Sequence, residues 1–369
     1  MSYIISFGLS FFGLIKKNSK TLALLLIAVM WALYGWNTGV ADYINYLWRF
    51  NGILDNTIEF NTEYGFSLFS SLVSSLGFDY TFFRIIYSLI GLTLISSTIF
   101  RYTYNVSFVL ALYFIYPFLF DVAQMRNFMA MAIFTFAFRY LVEDKKYNTL
   151  KYIICICIAC TFHTVAIFYF IFIFAKYLSK NTLLIMMFVL VPIGCLLSYT
   201  DLILSIVSKF TARGKIIHWF NNRAGLGILL MWGLLLLNVA IVYLVYNKIV
   251  ATDYSNCNQK QIDYKSRCIE PEIVRNFSEV LLKVNILTLF VMVLLIFNQE
   301  FVRIYRNLLP LYYILLAIYQ QQKVTNIKKK YLFLLLNIGY VFFLAIYYIY
   351  TTDALYTVFM GVFENNQLF

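Results

Sequence analysis

Residues 118–141 read FLFDVAQMRNFMAMAIFTFAFRYL and hold an arginine, Arg126, inside a run that then stays apolar until Arg139. The run is long enough to cross a bilayer as a helix. A guanidinium at bilayer depth costs roughly 2.5–3.5 kcal/mol, so it normally faces a protein partner or a wet cavity. Asp121, Gln124 and Asn127 gather round it. The pattern predicts a membrane helix whose arginine either faces a ligand or caps a neighbouring helix.

The composition of the whole chain indicates the same environment. Its 369 residues are 62% hydrophobic and 12% charged, and the mean hydropathy is +0.77. A soluble core cannot absorb that much apolar sequence, whereas a bilayer can. The long apolar runs lack the alternation of a barrel. We therefore predict an all-α, polytopic transmembrane helical bundle, with residues 1–369 as a single integral membrane domain.

The apolar runs divide the chain into about 12 predicted spans and one partial helix. The spans are residues 2–15, 21–36, 82–100, 106–119, 122–141, 150–162, 164–176, 182–198, 226–245, 277–297, 308–319 and 331–350. The helix from Asn61 to Leu76 is too short to span, so we expect it to be re-entrant or interfacial. The two runs beside His163 are each of half length and are expected to meet there.

Charge predicts the orientation of these spans. The net charge of +12 comes from basic residues scattered among short turns, which argues against nucleic acid as a partner and for the positive-inside rule. Segments 145–146 and 247–275 are then inside, while 37–62 and 201–225 are outside. The outer face keeps a surplus of basic residues: Lys209, Arg213, Lys215, Arg223, Arg303 and Arg306. An anionic ligand there explains them, since arginine forks bind phosphate oxygens; pairing with headgroups or Glu300 is the alternative.

Candidate acids and bases lie on the same predicted side. Asp42 and Tyr46 share a helix face. Glu63 heads the partial helix, where it either serves the site or only complements the helix dipole. His163 stands at an apolar turn, and histidine is the side chain whose ordinary pKa lies closest to neutral, although a structural histidine is the alternative. Two histidines without a cluster of Asp, Glu or Cys predict no metal site and no cofactor.

Several short motifs, in their order along the chain, resemble the EpsG-type, Wzy-like polymerases of bacterial exopolysaccharide and capsule. The motifs are DYINY (42–46), EYGF (63–66), MRNFMAMAI (125–133), EDKKY (143–147), TFHTVAI (161–167) and FVRIYR (301–306). Asn127 departs from the family pattern, in which glutamine is common. The inner segment 247–275 has no counterpart that we can align.

The resemblance implies that the chain joins oligosaccharide repeat units linked to undecaprenyl diphosphate. The reaction would take place on the outer face of the bacterial cytoplasmic membrane, by a metal-independent glycosyltransferase of the GT-C-like membrane class. Partners would be the lipid-linked oligosaccharide, the bilayer and other polysaccharide-export membrane proteins. Such a transfer needs cations beside the leaving diphosphate and a base beside the acceptor hydroxyl. The alternatives are a lipid-linked oligosaccharide flippase or transporter, and a non-catalytic subunit of an assembly complex.

The implied roles fall on residues of the motifs. The base is one of His163, Asp42 and Glu63. The groups that bind diphosphate or sugar are Arg126, Arg303, Arg306, Tyr46, Gln124 and Tyr305.

Overall fold

A computed structural model describes residues 2–54, 63–198, 225, 227–251, 270–322 and 327–368. Within these ranges every regular element is a helix, and the isolated strand-like contact is a backbone bridge between Asn37 and Asn366. The predicted all-α class is thereby confirmed for the part of the chain that the structure describes.

The described residues form 19 α-helices. They are α1 (Ser2–Ile15), α2 (Lys20–Gly35), α3 (Tyr43–Leu54), α4 (Tyr64–Ser75), α5 (Tyr80–Tyr102), α6 (Val106–Tyr113), α7 (Leu119–Ala123), α8 (Met125–Ala137), α9 (Arg139–Val142), α10 (Asn148–Phe162), α11 (Phe174–Tyr177), α12 (Lys180–Leu197), α13 (Gly227–Val250), α14 (Pro271–Thr288), α15 (Val291–Phe297), α16 (Val302–Arg306), α17 (Leu309–Gln321), α18 (Ile327–Thr351) and α19 (Gly361–Glu364). Tighter or wider helical turns join some of them: Phe114–Phe118, Thr164–Ile173, Gln299–Phe301 and Leu355–Met360.

Seven helical stretches of the described chain are long and apolar enough to cross a bilayer. They are Tyr80–Tyr102, Val106–Ala123, Lys180–Leu197, Gly227–Val250, Pro271–Phe297, Gln299–Gln321 and Ile327–Thr351. Shorter apolar helices fall on four further predicted spans: Ser2–Ile15, Lys20–Gly35, Asn148–Phe162 and Thr164–Tyr177. Helices of 14 and 16 residues, such as α1 and α2, rise only about 21–24 Å, so each covers part of a hydrocarbon core. The chain is a multi-pass membrane protein.

The run that contains Arg126 is broken near its start and is not the single predicted helix. The chain leaves the helical region at Gln124, with φ −102° and ψ 60°, and α8 begins at the next residue. Polar side chains occupy the break, because Arg306 donates to Gln124 Oε1 and the Tyr87 hydroxyl donates to the Met125 carbonyl. Irregular backbone at membrane depth persists where protein buries it or a cavity lies beside it. The break places Arg126 in the first turn of α8.

Small residues let neighbouring helices close on α8. Three alanines spaced seven residues apart, Ala123, Ala130 and Ala137, are all buried. α8 packs against both α5 and α10. On the α5 side, a Cβ added to Gly91 would overlap the ring of Phe128, so glycine permits the close approach. The helix that bears Arg126 is therefore held inside the bundle.

Two further helices are interrupted. His163 is extended, with φ −150° and ψ 127°, between α10 and the turn that begins at Thr164. This confirms the predicted pair of half-length helices. Asn298, with φ −157° and ψ 131°, separates α15 from the turn Gln299–Phe301. Such breaks leave backbone N–H groups without intrahelical partners at each new helix start.

Candidate functional site

A polar cavity of about 220 Å³ lies where the interrupted helices meet. Eight side chains line it: Asp42, Tyr46, Gln124, Arg126, Asn127, His163, Glu300 and Arg303. They come from four separated parts of the chain, so only the tertiary fold brings them together. Six of the nine residues to which the sequence analysis assigned roles are among them, while Glu63, Arg306 and Tyr305 are not.

Every part of the lining belongs to the end of a helix. Asp42 precedes α3, Gln124 and Arg126 flank the start of α8, His163 precedes the turn at Thr164, and Glu300 follows the break at Asn298. Helix starts expose N–H groups and the positive end of the helix dipole. The cavity thus combines arginine side chains with backbone that favours negative charge.

Glu63 does not line the cavity but contacts two residues that do, Arg126 and His163. Its residue is 2% exposed, and its carboxylate forms an ion pair with Arg126. Oε1 lies 3.1 Å from Nδ1 of His163, and Oε2 lies 3.7 Å from Nη1 of Arg49. Glu63 stands at the start of α4 but makes no side-chain capping hydrogen bond there. Its carboxylate therefore organises the site rather than the helix end.

The contact with Glu63 determines the tautomer of His163. An ionised carboxylate can only accept hydrogen bonds. The short contact then requires the proton of a neutral imidazole to be on Nδ1, which leaves the lone pair on Nε2. A glutamate thus orients the histidine that lines the cavity.

Arg126 is held by Tyr46 as well as by Glu63. Its Nε donates to the Tyr46 hydroxyl over 3.4 Å, and its guanidinium carbon lies 5.4 Å from the centre of the Tyr46 ring. Its side chain is 25% exposed, so part of the guanidinium faces the cavity. The arrangement fixes the plane of the guanidinium, as bidentate binding of a phosphate requires.

Arg49 lies one helical turn after Tyr46 and shares its face of α3. Burial lowers the pKa of Arg49, and the positive charge of Arg126 lowers it further. An arginine so placed still stays protonated at neutral pH. Sequence reasoning missed Arg49, although its spacing of seven from Asp42 marks the same helix face.

A glycine allows Glu63 and His163 to meet. α4 packs against α10, and a Cβ on Gly65 would lie 2.9 Å from Thr161 Cβ and 3.1 Å from its carbonyl carbon. Real Cβ atoms hardly approach so closely, since protein interiors are already close-packed. Gly65 thus brings the start of α4 onto the end of α10.

A second arginine, Arg303, also lines the cavity. Nη2 of Arg303 lies 3.5 Å from Oε2 of Glu300, and both side chains line the cavity with Asp42. The Arg303 side chain is 22% exposed and that of Glu300 is 51% exposed. Glu300 is the solvent-exposed member of this pair, so water screens its attraction to Arg303. An anion could therefore take the place of Glu300 at small cost.

Arg306 does not line the cavity but contacts a residue that does, Gln124. It is 3% exposed, donates to the side chain of Gln124 and lies 5.6 Å from the centre of the Phe120 ring. Asn127 is fixed in a similar way, by a pair of amide hydrogen bonds to Asn307. These contacts hold two lining amides in place.

Tyr305 points elsewhere. It is 1% exposed, and its hydroxyl lies 2.7 Å from the hydroxyl of Tyr340 on α18. It does not line the cavity. The basic outer residues Lys209, Arg213, Lys215 and Arg223, together with His218, lie outside the described residues.

The end of the chain fastens the segment that carries Asp42. Asn37 Nδ2 donates to the Gly361 carbonyl over 2.8 Å, and Asn366 Nδ2 donates to the Ala32 carbonyl over 3.0 Å. The backbone N–H of Ala41 donates to Thr357 over 2.9 Å. These bonds join the entry to α3 to the C-terminal turn.

Comparison with known families agrees with the motifs. The model of the EpsG family matches residues 20–360. Neither a curated protein nor a solved structure matches the chain.

Proposed function

The chain belongs to the EpsG family of membrane proteins of exopolysaccharide assembly, and we propose that it is the repeat-unit polymerase of such a system. The proposed donor and acceptor are oligosaccharides linked to undecaprenyl diphosphate. The observation that carries the proposal is the convergence of Arg126, His163 and Arg303 on one polar cavity. About 12 spans in a GT-C-like arrangement, with the cavity facing the outside of the bacterial cytoplasmic membrane, belong to the same proposal.

The chemistry proposed is a glycosyl transfer. The acceptor hydroxyl attacks the anomeric carbon of the donor chain and forms the new C–O bond. The bond from that carbon to the diphosphate oxygen breaks, and its electron pair leaves with the diphosphate. The hydroxyl proton passes to Nε2 of His163. Transfer of this kind requires stabilisation of the leaving group and removal of a proton.

The cations have separate tasks in this proposal. Arg126 and Arg303 both line the cavity and bind the diphosphate, where fixed guanidinium groups stabilise charge as it develops. Arg306 holds Gln124, whose amide contacts the ligand. Tyr46 keeps the guanidinium of Arg126 in plane and offers its hydroxyl to a sugar. Tyr305 serves as support behind the cavity.

Among the three candidate bases, the contacts favour His163. Glu63 is buried and already neutralised by cations, so it suits the role of orienting His163 and stabilising the imidazolium that forms. Asp42 lines the cavity and is the second candidate base.

A transport function is the second candidate. Asp121 and Arg306 lie buried inside candidate spans, and ionisable groups inside spans often mark a path through the membrane. The polymerase and the transporter differ in whether new glycosidic bonds form.

An assay without a membrane barrier separates them. Purified protein in detergent is mixed with lipid-linked repeat units extracted from cells that lack it, and products are resolved by size. A polymerase converts single units into a ladder, because both substrates are already accessible. A flippase or a non-catalytic subunit leaves them as single units, and that result with folded protein would refute the proposal.

A further inference from the structure

Arg84 is a buried arginine in α5 that does not line the cavity. It is 1% exposed, and no carboxylate among the described residues lies within ion-pair distance of it. A charge inside a membrane helix is costly and usually functional. Stability alone therefore does not explain an arginine at this position of α5.

Aromatic rings surround the guanidinium in place of a carboxylate. Its carbon lies 5.4 Å from the centre of the Tyr34 ring, 5.3 Å from that of Tyr43 and 5.8 Å from that of Tyr80. Nη2 donates to the Tyr34 carbonyl over 2.8 Å, in the last turn of α2. Cation–π contacts and a helix C-terminus both stabilise a cation. The group is therefore held rigidly.

Three polar side chains of α5 converge on one residue, Met125. Nη1 of Arg84 lies 3.6 Å from Met125 Sδ, and the Tyr80 hydroxyl lies 3.3 Å from the same sulfur. The Tyr87 hydroxyl donates to the Met125 carbonyl over 3.2 Å. Both the side chain and the backbone of Met125 are thus fixed by α5.

Met125 stands between two residues that line the cavity, Gln124 and Arg126. It is also the first residue of α8, directly after the break. We propose that Arg84 is a positioning residue: by holding Met125 it determines where the break falls, and so directs Arg126 and Gln124 into the cavity. The inference rests on the proposed function, because it assigns Arg84 to the binding of diphosphate through Arg126.

The test uses the full-length protein in detergent, with Arg84→Met as the variant and Ser88→Ala as the control. Ser88 is buried one turn further along α5 and bonds only to carbonyls of its own helix. The two readouts are the rate of ladder formation and the rise in thermal midpoint caused by undecaprenyl diphosphate. We expect Arg84→Met to fold, to lose most of the ligand-induced rise and to polymerise on the order of 10²-fold more slowly, since small misplacements of binding groups cost that much. Ser88→Ala should match the wild type in both.

A second background separates positioning from general support. In an Arg126→Gln protein, Arg84→Met should change the remaining rate little, because residues that act through one group are not additive. Equal fold-losses in both backgrounds, or a wild-type ligand response in Arg84→Met, would overturn the inference. If Arg84→Met fails to accumulate, Tyr87→Phe and Met125→Leu take its place, with losses in the same direction expected and wild-type behaviour overturning it. A wild-type protein that neither binds undecaprenyl diphosphate nor forms a ladder would instead sink the proposed function.

Discussion

Glu63 and His163 stand 100 positions apart in the chain and contact each other directly, with Oε1 of the glutamate 3.1 Å from Nδ1 of the histidine. The same carboxylate pairs with Arg126. One buried carboxylate therefore contacts both the proposed base and the arginine proposed to bind the diphosphate. A change in Glu63 is therefore expected to disturb both His163 and Arg126.

The first prediction concerns the base. Glutamine at position 163 keeps a hydrogen-bond donor for Glu63 but cannot take a proton at neutral pH. His163→Gln should therefore lower the polymerisation rate by about 10²–10⁴-fold, the usual contribution of general base catalysis, with undecaprenyl diphosphate binding intact. Ladder formation by the purified variant measures it. Chain lengths like those of the wild type would move the role to Asp42.

The second prediction concerns the guanidinium plane of Arg126. Lysine retains the charge but cannot contact two phosphate oxygens and the Tyr46 ring together. Arg126→Lys should insert normally and polymerise on the order of 10²–10³-fold more slowly, the scale for one lost donor to a developing anion. Quantitative comparison at equal protein levels checks it. Near-normal polymerisation would mean that Arg126 serves only to pair with Glu63.

The third prediction concerns Gly65. A methyl group there collides with Thr161, so α4 must move away from α10 and stretch the contact between Glu63 and His163. Overpacking of this kind costs about 1–3 kcal/mol of stability, and the activity loss should exceed what that destabilisation explains. Gly339→Ala in α18 is the control, because nothing lies within 4 Å of a Cβ there. Equal activity of the two variants would contradict the packing argument.

The fourth prediction concerns the C-terminal turn. Asn37→Ala leaves the buried Gly361 carbonyl without its donor, at a cost of about 1–3 kcal/mol. The thermal midpoint should fall, and polymerisation should fall with it, because the segment before Asp42 loses its anchor. Thr351→Ala, which removes an exposed bond within α18, should leave both values unchanged. An Asn37→Ala protein as stable as the wild type would show that the C-terminal turn does not anchor the segment before Asp42.

The fifth prediction concerns orientation. Single cysteines are introduced in a cysteine-free background at Leu76, which is 72% exposed on the predicted outer side, and at Lys146 on the predicted inner side. An impermeant thiol reagent applied to intact cells should label the first and spare the second. Lysed cells should show both labelled. The reverse pattern would place the cavity on the cytoplasmic side.

Parts of the site were predictable because their signals are local. Arg126 and His163 are polar interruptions of apolar runs, and such residues need a partner or a cavity wherever the run packs. The helix break at His163 followed from run length and flanking charge. By contrast, the break at Gln124 has no proline or glycine to mark it; contacts from Arg306 and Tyr87 hold it open.

The sequence did not show which polar residues contact each other in the site. The dipole role considered for Glu63 needs only its position at a helix start, whereas its actual partners depend on how closely α4 approaches α10. The sequence did not mark Arg49 or Arg84 as site residues, because the amphipathic pattern of α3 and the apolar pattern of α5 each predict a helix without requiring a site. Tyr305 and Arg303 are two positions apart in sequence, yet only Arg303 reaches the cavity.

By itself, the sequence determined the membrane environment, the helical class and the family, since apolar length, charged turns and ordered motifs act through local physics and pattern. The tertiary structure alone decided which polar residues share a cavity and which carboxylate neutralises which arginine. The reason is that a desolvated charge is stabilised only by groups within a few ångströms, and those distances arise from packing between helices far apart in the chain.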